Sequence, residues 1–104
     1  MNKNALTADR VTGVTGEVEI EGVGTITVRA LSRHEMIQGG KIEDGEAQER
    51  YILSCAMIDP VMGEHDIAAW QKNSIPGEIN RVAAKVNELS GIGKGADKSS
   101  VPEV

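Results

Sequence analysis

Aromatic residues are almost missing from this chain. Its 104 residues include one Tyr (Tyr51), one Trp (Trp70) and no Phe. Aromatic side chains carry the largest buried area per residue. The core must therefore be assembled from Val, Ile, Leu, Ala and Met, and a single domain of this size so built is expected to be only modestly stable. Cysteine is nearly missing too. Cys55 stands alone, which excludes a disulfide within the chain. It lies in the apolar run Tyr51-Ile52-Leu53-Ser54-Cys55-Ala56-Met57-Ile58, where a small buried hydrophobe is expected rather than a reactive thiol, in a reducing compartment. Basic runs are missing as well. Eleven Lys and Arg are scattered singly against sixteen Asp and Glu, for a net charge of -5. Nucleic-acid binders normally present a basic face, so no nucleic-acid partner is expected. No apolar stretch approaches the roughly 20 residues of a membrane span. Residues 1–10 have no apolar centre and include Asp9, unlike a signal peptide. The expectation is a protein that stays in the cytoplasm and has no membrane partner.

Catalytic signatures are equally sparse. His34 and His65 are the only histidines, each beside carboxylates: Glu35, and Glu64 with Asp66. Zinc wants three or four convergent ligands. The acids here read instead as first-turn residues that favour a helix dipole. Ser54 and Ser90 lack a nucleophile elbow. The Gly22-Val23-Gly24 turn lacks the third glycine and the strand–helix context of a nucleotide loop. No catalytic residue, metal ligand or cofactor is expected, and the chain reads as non-catalytic.

What the sequence does contain is pattern. Residues 1–12 are polar and aperiodic and are expected to form a mobile arm. Residues 13–91 should form the single globular domain. From 17 to 31 the sequence alternates, with Val18 and Ile20, then Ile26, Val28 and Ala30, set against glutamates, threonines and Arg29. Two β-branched strands around a glycine turn predict a hairpin, whose glutamate row faces water or Arg29. A lone hairpin is marginal in water, so its apolar face should rest on helices.

Ser32-Arg33-His34-Glu35 spells a capping box, with Leu31 and Met36 placed as a hydrophobic staple. Gly39-Gly40 should stop that short helix. A second helix is expected over 44–58, with Asp44 as N-cap, Glu46 pairing with Arg50, and Asp59-Pro60 as its end. A third is expected over 64–72. The last, about 76–90, is the clearest: Ile75, Ile79, Val82, Val86 and Leu89 recur at helical spacing, with Pro76 near its start and Gly91 just past its end. Its face should pack on Ile52, Cys55 and the hairpin residues Val18, Ile20, Ile26 and Val28. The fold expected is α+β, with an N-terminal two-stranded hairpin packed on three or four helices. Met36, Met57, Met62 and Trp70 are the candidate partner-binding residues, because methionine adapts to varied helices and Trp is enriched at binding hot spots. Filling a core that lacks Phe is their competing role.

The order of these features resembles the tail assembly chaperones of long-tailed, siphovirus-like phages and prophages. The residues that carry the likeness are Val28-Arg29-Ala30-Leu31-Ser32 with Glu35, then Ala56-Met57-Ile58-Asp59-Pro60. His65-Asp66-Ile67-Ala68-Ala69-Trp70, Ile75-Pro76-Gly77-Glu78-Ile79 and Asn87-Glu88-Leu89-Ser90-Gly91 complete it. It spans residues 13–91; the glycine-rich Gly39–Gly45 segment and the acidity of the first strand do not contribute to it. The resemblance implies a non-catalytic helper in the host bacterial cytoplasm. Such a helper keeps the long helical tape-measure protein soluble, brings tail-tube subunits to it, can self-associate and is absent from the finished virion. Two other classes remain open on sequence grounds. One is a structural tail or head–tail connector component retained in the virion. The other is a small regulator that binds nucleic acid, against which the acidic charge speaks.

Residues 92–104 are rich in Gly, Ser, Lys and Pro, without periodicity, and are expected to form a disordered tail. In many such phages a ribosomal frameshift near the end of the short form appends a second domain. Codons for Gly93-Lys94 can form a run of G followed by a run of A, on which paired tRNAs re-pair after slipping back by one. A plain frayed terminus is the competing reading. A slip-prone heptamer there, with an open alternative frame beyond Val104, is the outcome expected of a longer second product; codons that cannot slip exclude that mechanism at this site.

Overall fold

The structure, a computed structural model, describes residues 2–92. Alternation does produce a hairpin. Strand β1 (Thr15–Ile20) pairs antiparallel with β2 (Gly24–Arg29), Val18 opposite Ile26 and Gly16 opposite Val28. In the turn the Val23 N–H donates to the Ile20 carbonyl at 3.0 Å. Gly22 there has φ +81, a region that side chains with a Cβ rarely enter. Period two sends Ile20, Ile26 and Val28 into the core, with Val18 half-buried. Glu17, Glu19 and Glu21 remain exposed.

The sheet has a third strand that the sequence pattern did not announce. Helix α1 (Lys3–Thr7) is a single exposed turn in the segment read as an aperiodic arm, capped by Asn2. Helix α2 (Arg33–Gly40) is short and ends at the expected Gly39-Gly40 pair, which forms its last two residues. Gly39 is buried where α2 meets α3 (Gly45–Ala56): a Cβ there would lie 3.1 Å from Ile52 Cγ1, so close packing accounts for this glycine. Helix α3 starts after Asp44 as expected but ends at Ala56, not Ile58. Met57–Asp59 forms β3, antiparallel to β2, with Ile58 bulged out of register between the pairs Val28–Met57 and Thr27–Asp59. The sheet order is β1-β2-β3. The open edge of β2 thus takes the backbone away from the helix before proline is reached. The expected Glu46–Arg50 pair is not made; Arg50 donates to Gln71 Oε1 at 3.2 Å. Gln71, on α4 (Glu64–Asn73), in turn donates to Glu49 and to the Glu46 carbonyl, tying α3 to α4.

Helix α5 (Pro76–Leu89) lies across β1 and β2. Ile79, Val82 and Val86 are buried, as their spacing predicts. Leu89 is only half-buried, with Lys85 against Gly16 of β1, where an added Cβ would meet both side chains at 3.2 Å. Ile75, read as part of the same face, is instead the N-cap and 73% exposed. On α3 it is Leu53 and Ala56 that are buried; Ile52 and Cys55 pack at the margin. Ile67, Leu31 and Met57 complete the core. Helix α5 closes in a Schellman motif: Gly91 has φ +75, its N–H donates to Glu88, and the Ile92 N–H donates to Asn87. The disordered tail expected over 92–104 lies, from residue 93 on, outside the described residues.

One polar joint binds these parts. The capping box at Ser32 is formed in both directions. Glu35 also takes two bonds from the Arg29 guanidinium, at 3.0 and 2.7 Å, so the last residue of β2 clamps the first turn of α2. Arg29 is thereby turned from the glutamate row. Across the joint, the Ser90 hydroxyl donates to the Val86 carbonyl at 2.7 Å and accepts the Leu31 N–H at 2.9 Å, which fastens the end of α5 to the strand–helix connection.

Two outcomes follow from this joint. Ser90→Ala leaves the Leu31 N–H without its acceptor and should cost about 1–3 kcal/mol in a denaturant melt. Replacement by Thr, which retains the hydroxyl, should recover most of the loss. The Arg29 guanidinium holds the Glu35 carboxyl below its ordinary range. A depressed folded-state pKa contributes stability that is full above the unfolded value and is lost as pH falls through the folded one. Stability should therefore drop as pH falls from the ordinary carboxylate range downward. Glu35→Gln should flatten that slope and lower stability at neutral pH by about 1–3 kcal/mol, read from melts across pH.

Candidate functional site: an apolar groove

The turn-end of the hairpin, the β3–α4 loop and the exposed side of α4 enclose an open groove of about 620 Å³. Period two supplies one wall, with Ile20 and Ile26 on the inward side and Val23 at the turn. Met57 is part of its floor. Pro60, Val61 and Met62 descend from β3, and Ala69 and Trp70 face in from α4, one turn beyond Asp66. Glu78, in the first turn of α5, accepts the Trp70 indole N–H at 2.8 Å. The Ser74 hydroxyl donates to the Trp70 carbonyl at 2.7 Å. The indole is thus pinned at its polar edge while its ring lines the groove.

Two of the groove's apolar side chains stand almost bare. Val61 is 83% and Val23 78% exposed. Isolated exposed valines are ordinary. Here they border a single concave surface with half-buried Met62 and Trp70, which makes this groove the candidate interaction site. The groove's volume is within the range of small-molecule sites, but such sites add a few convergent polar groups. Asp66 and Glu78 are the only charged side chains in this one, and both already bond within the fold: Asp66 accepts the Gly63 N–H at 3.1 Å.

Of the four residues singled out from sequence, Trp70 and Met62 line the groove and Met57 closes its floor as a buried residue. Met36 is not part of it; it packs on the core from α2. Sequence reasoning missed Val23, Val61 and Glu78. Val23 carried a signal, an apolar residue at the tip of a turn where polar ones are usual. Glu78 carried none, since its bond to Trp70 joins two different helices.

Elsewhere the arrangement is structural. Cys55 is half-buried, and burial pushes its thiol up, away from the reactive thiolate. His34 and His65 are exposed on separate helices. Among the described residues, no group of three or more His, Cys, Asp or Glu is placed to hold a metal ion. None of the described helices is long and apolar enough to cross a membrane. In comparison with known proteins, no family model, curated protein or solved structure matches this chain.

Proposed function

We propose that this protein is a non-catalytic tail assembly chaperone of a long-tailed phage or prophage. In the host bacterial cytoplasm it would bind the tape-measure protein, keep it soluble and help recruit tail-tube subunits. The observation that carries the reading is the groove: apolar, open, walled by Met62 and Trp70, and rimmed by valines whose exposure has no use within the described fold. A long helical protein with apolar stripes suits helix-in-groove recognition. The order of strand pair, capped helix, Asp59-Pro60, Trp70 and final helix supplies the family resemblance.

The test is co-expression with the tape-measure protein of the same phage or prophage. The soluble fraction of that protein should rise, and Val61→Lys with Val23→Lys should abolish the rise. These two changes are better probes than Trp70→Ala, which also removes packing on the core and the bond to Glu78. As surface substitutions they should alter stability by no more than about 0.5 kcal/mol. A tape-measure protein that stays insoluble with the wild-type chain would sink the reading. Stoichiometric retention of this chain in purified virions would favour a structural tail or connector component instead.

A further inference from the structure

The groove's charge defines what can lie in it. Its walls come mainly from residues 20–26 and 57–70, and these two segments contain Glu21, Asp59, Glu64 and Asp66 but no Lys or Arg. Both charged side chains in its lining, Asp66 and Glu78, are carboxylates. Arg81, on the next turn of α5 after Glu78, reaches the Glu19 carbonyl at 3.4 Å on the β1 side. An apolar trough with carboxylates around it favours a partner whose apolar residues are bordered by positive charge, and disfavours an acidic one.

The shape selects a helix over a strand. The sheet edge beside the groove is β3, only three residues long. Pro60 follows at once and has no N–H to donate, so an added strand would gain very few ladder bonds. The groove is bordered by side chains rather than by free backbone, which suits the apolar stripe of a helix.

Resting on the reading of the groove as the partner site, we infer that its occupant is a basic amphipathic helix: apolar residues at i, i+3, i+4 and i+7, with Lys or Arg flanking the stripe. A second copy of this chain fits poorly, because the acidic borders of two grooves would repel.

Trp70 is the chain's single tryptophan and lines the groove, so its fluorescence reports occupancy directly. The experiment titrates the full chain with three synthetic helices of about 18 residues that share one apolar stripe and carry Lys, Gln or Glu beside it. The Lys peptide should bind about tenfold or more tightly than the Glu peptide at low salt, with Gln between them. The gap should narrow as salt is raised from about 20 to about 500 mM. Combining Glu21→Gln, Glu64→Gln and Asp66→Asn should shrink it as well. Equal affinity of the three peptides for the wild-type chain would overturn the charge assignment and leave the groove reading standing. Absence of any Trp70 response to all three would overturn both. The peptide series uses only the wild-type chain, so it decides the matter even if the triple variant folds poorly.

Discussion

Everything in this fold depends on covering the apolar face of one short hairpin. Two strands of six residues cannot hold together in water. Ile20, Ile26 and Val28 must be removed from solvent, and α5 does this with Ile79, Val82 and Val86. The approach is close because β1 has Gly16 where Leu89 and Lys85 cross it. With no Phe available, the layer is made of branched aliphatic side chains that interlock at short range. Such a layer tolerates little displacement, since a small gap already forfeits much of the dispersion contact.

That demand explains the polar joint. The end of α5, the end of β2 and the start of α2 meet at one place, where Arg29, Ser32 and Glu35 satisfy one another and Ser90 accepts the Leu31 N–H. Each element's terminus is fixed by a residue of another. The far end of the hairpin has no such joint. There the turn, the β3–α4 loop and α4 leave an open space, with Trp70 held at its side by Glu78. The only Trp of the chain therefore borders the groove instead of filling the centre.

The division between the two ends also bears on function. The closed end is held by an ion pair, a capping box and the half-buried Ser90 hydroxyl. The open end presents methionine, tryptophan and exposed valine beneath a border of carboxylates. The proposed helper role, accepting apolar segments of another protein, would use both properties: a rigid frame, and an apolar surface with acidic side chains beside it. Both charged side chains on the walls of that open end, Asp66 and Glu78, are acidic.

Local chemistry was readable from the sequence. The hairpin, the Ser32–Glu35 capping box, the Asp44 cap, the Pro76 start and Gly91 end of α5, and the burial of Ile79, Val82 and Val86 each rest on residues within a few positions of one another. The misplacements were non-local. Met57–Asp59 left the helix because β2 had a free edge. Arg50 turned to Gln71, and Arg29 to Glu35, because those partners were brought near by other elements. Trp70, Met62 and Met57 could be chosen by residue type, but Met36 was chosen on the same grounds and lies elsewhere. Sequence by itself determined the hairpin and the starts of the main helices, since those preferences reside in each residue and its near neighbours. Only the tertiary structure decided which apolar residues were left over, because that depends on how much surface the packed elements can cover.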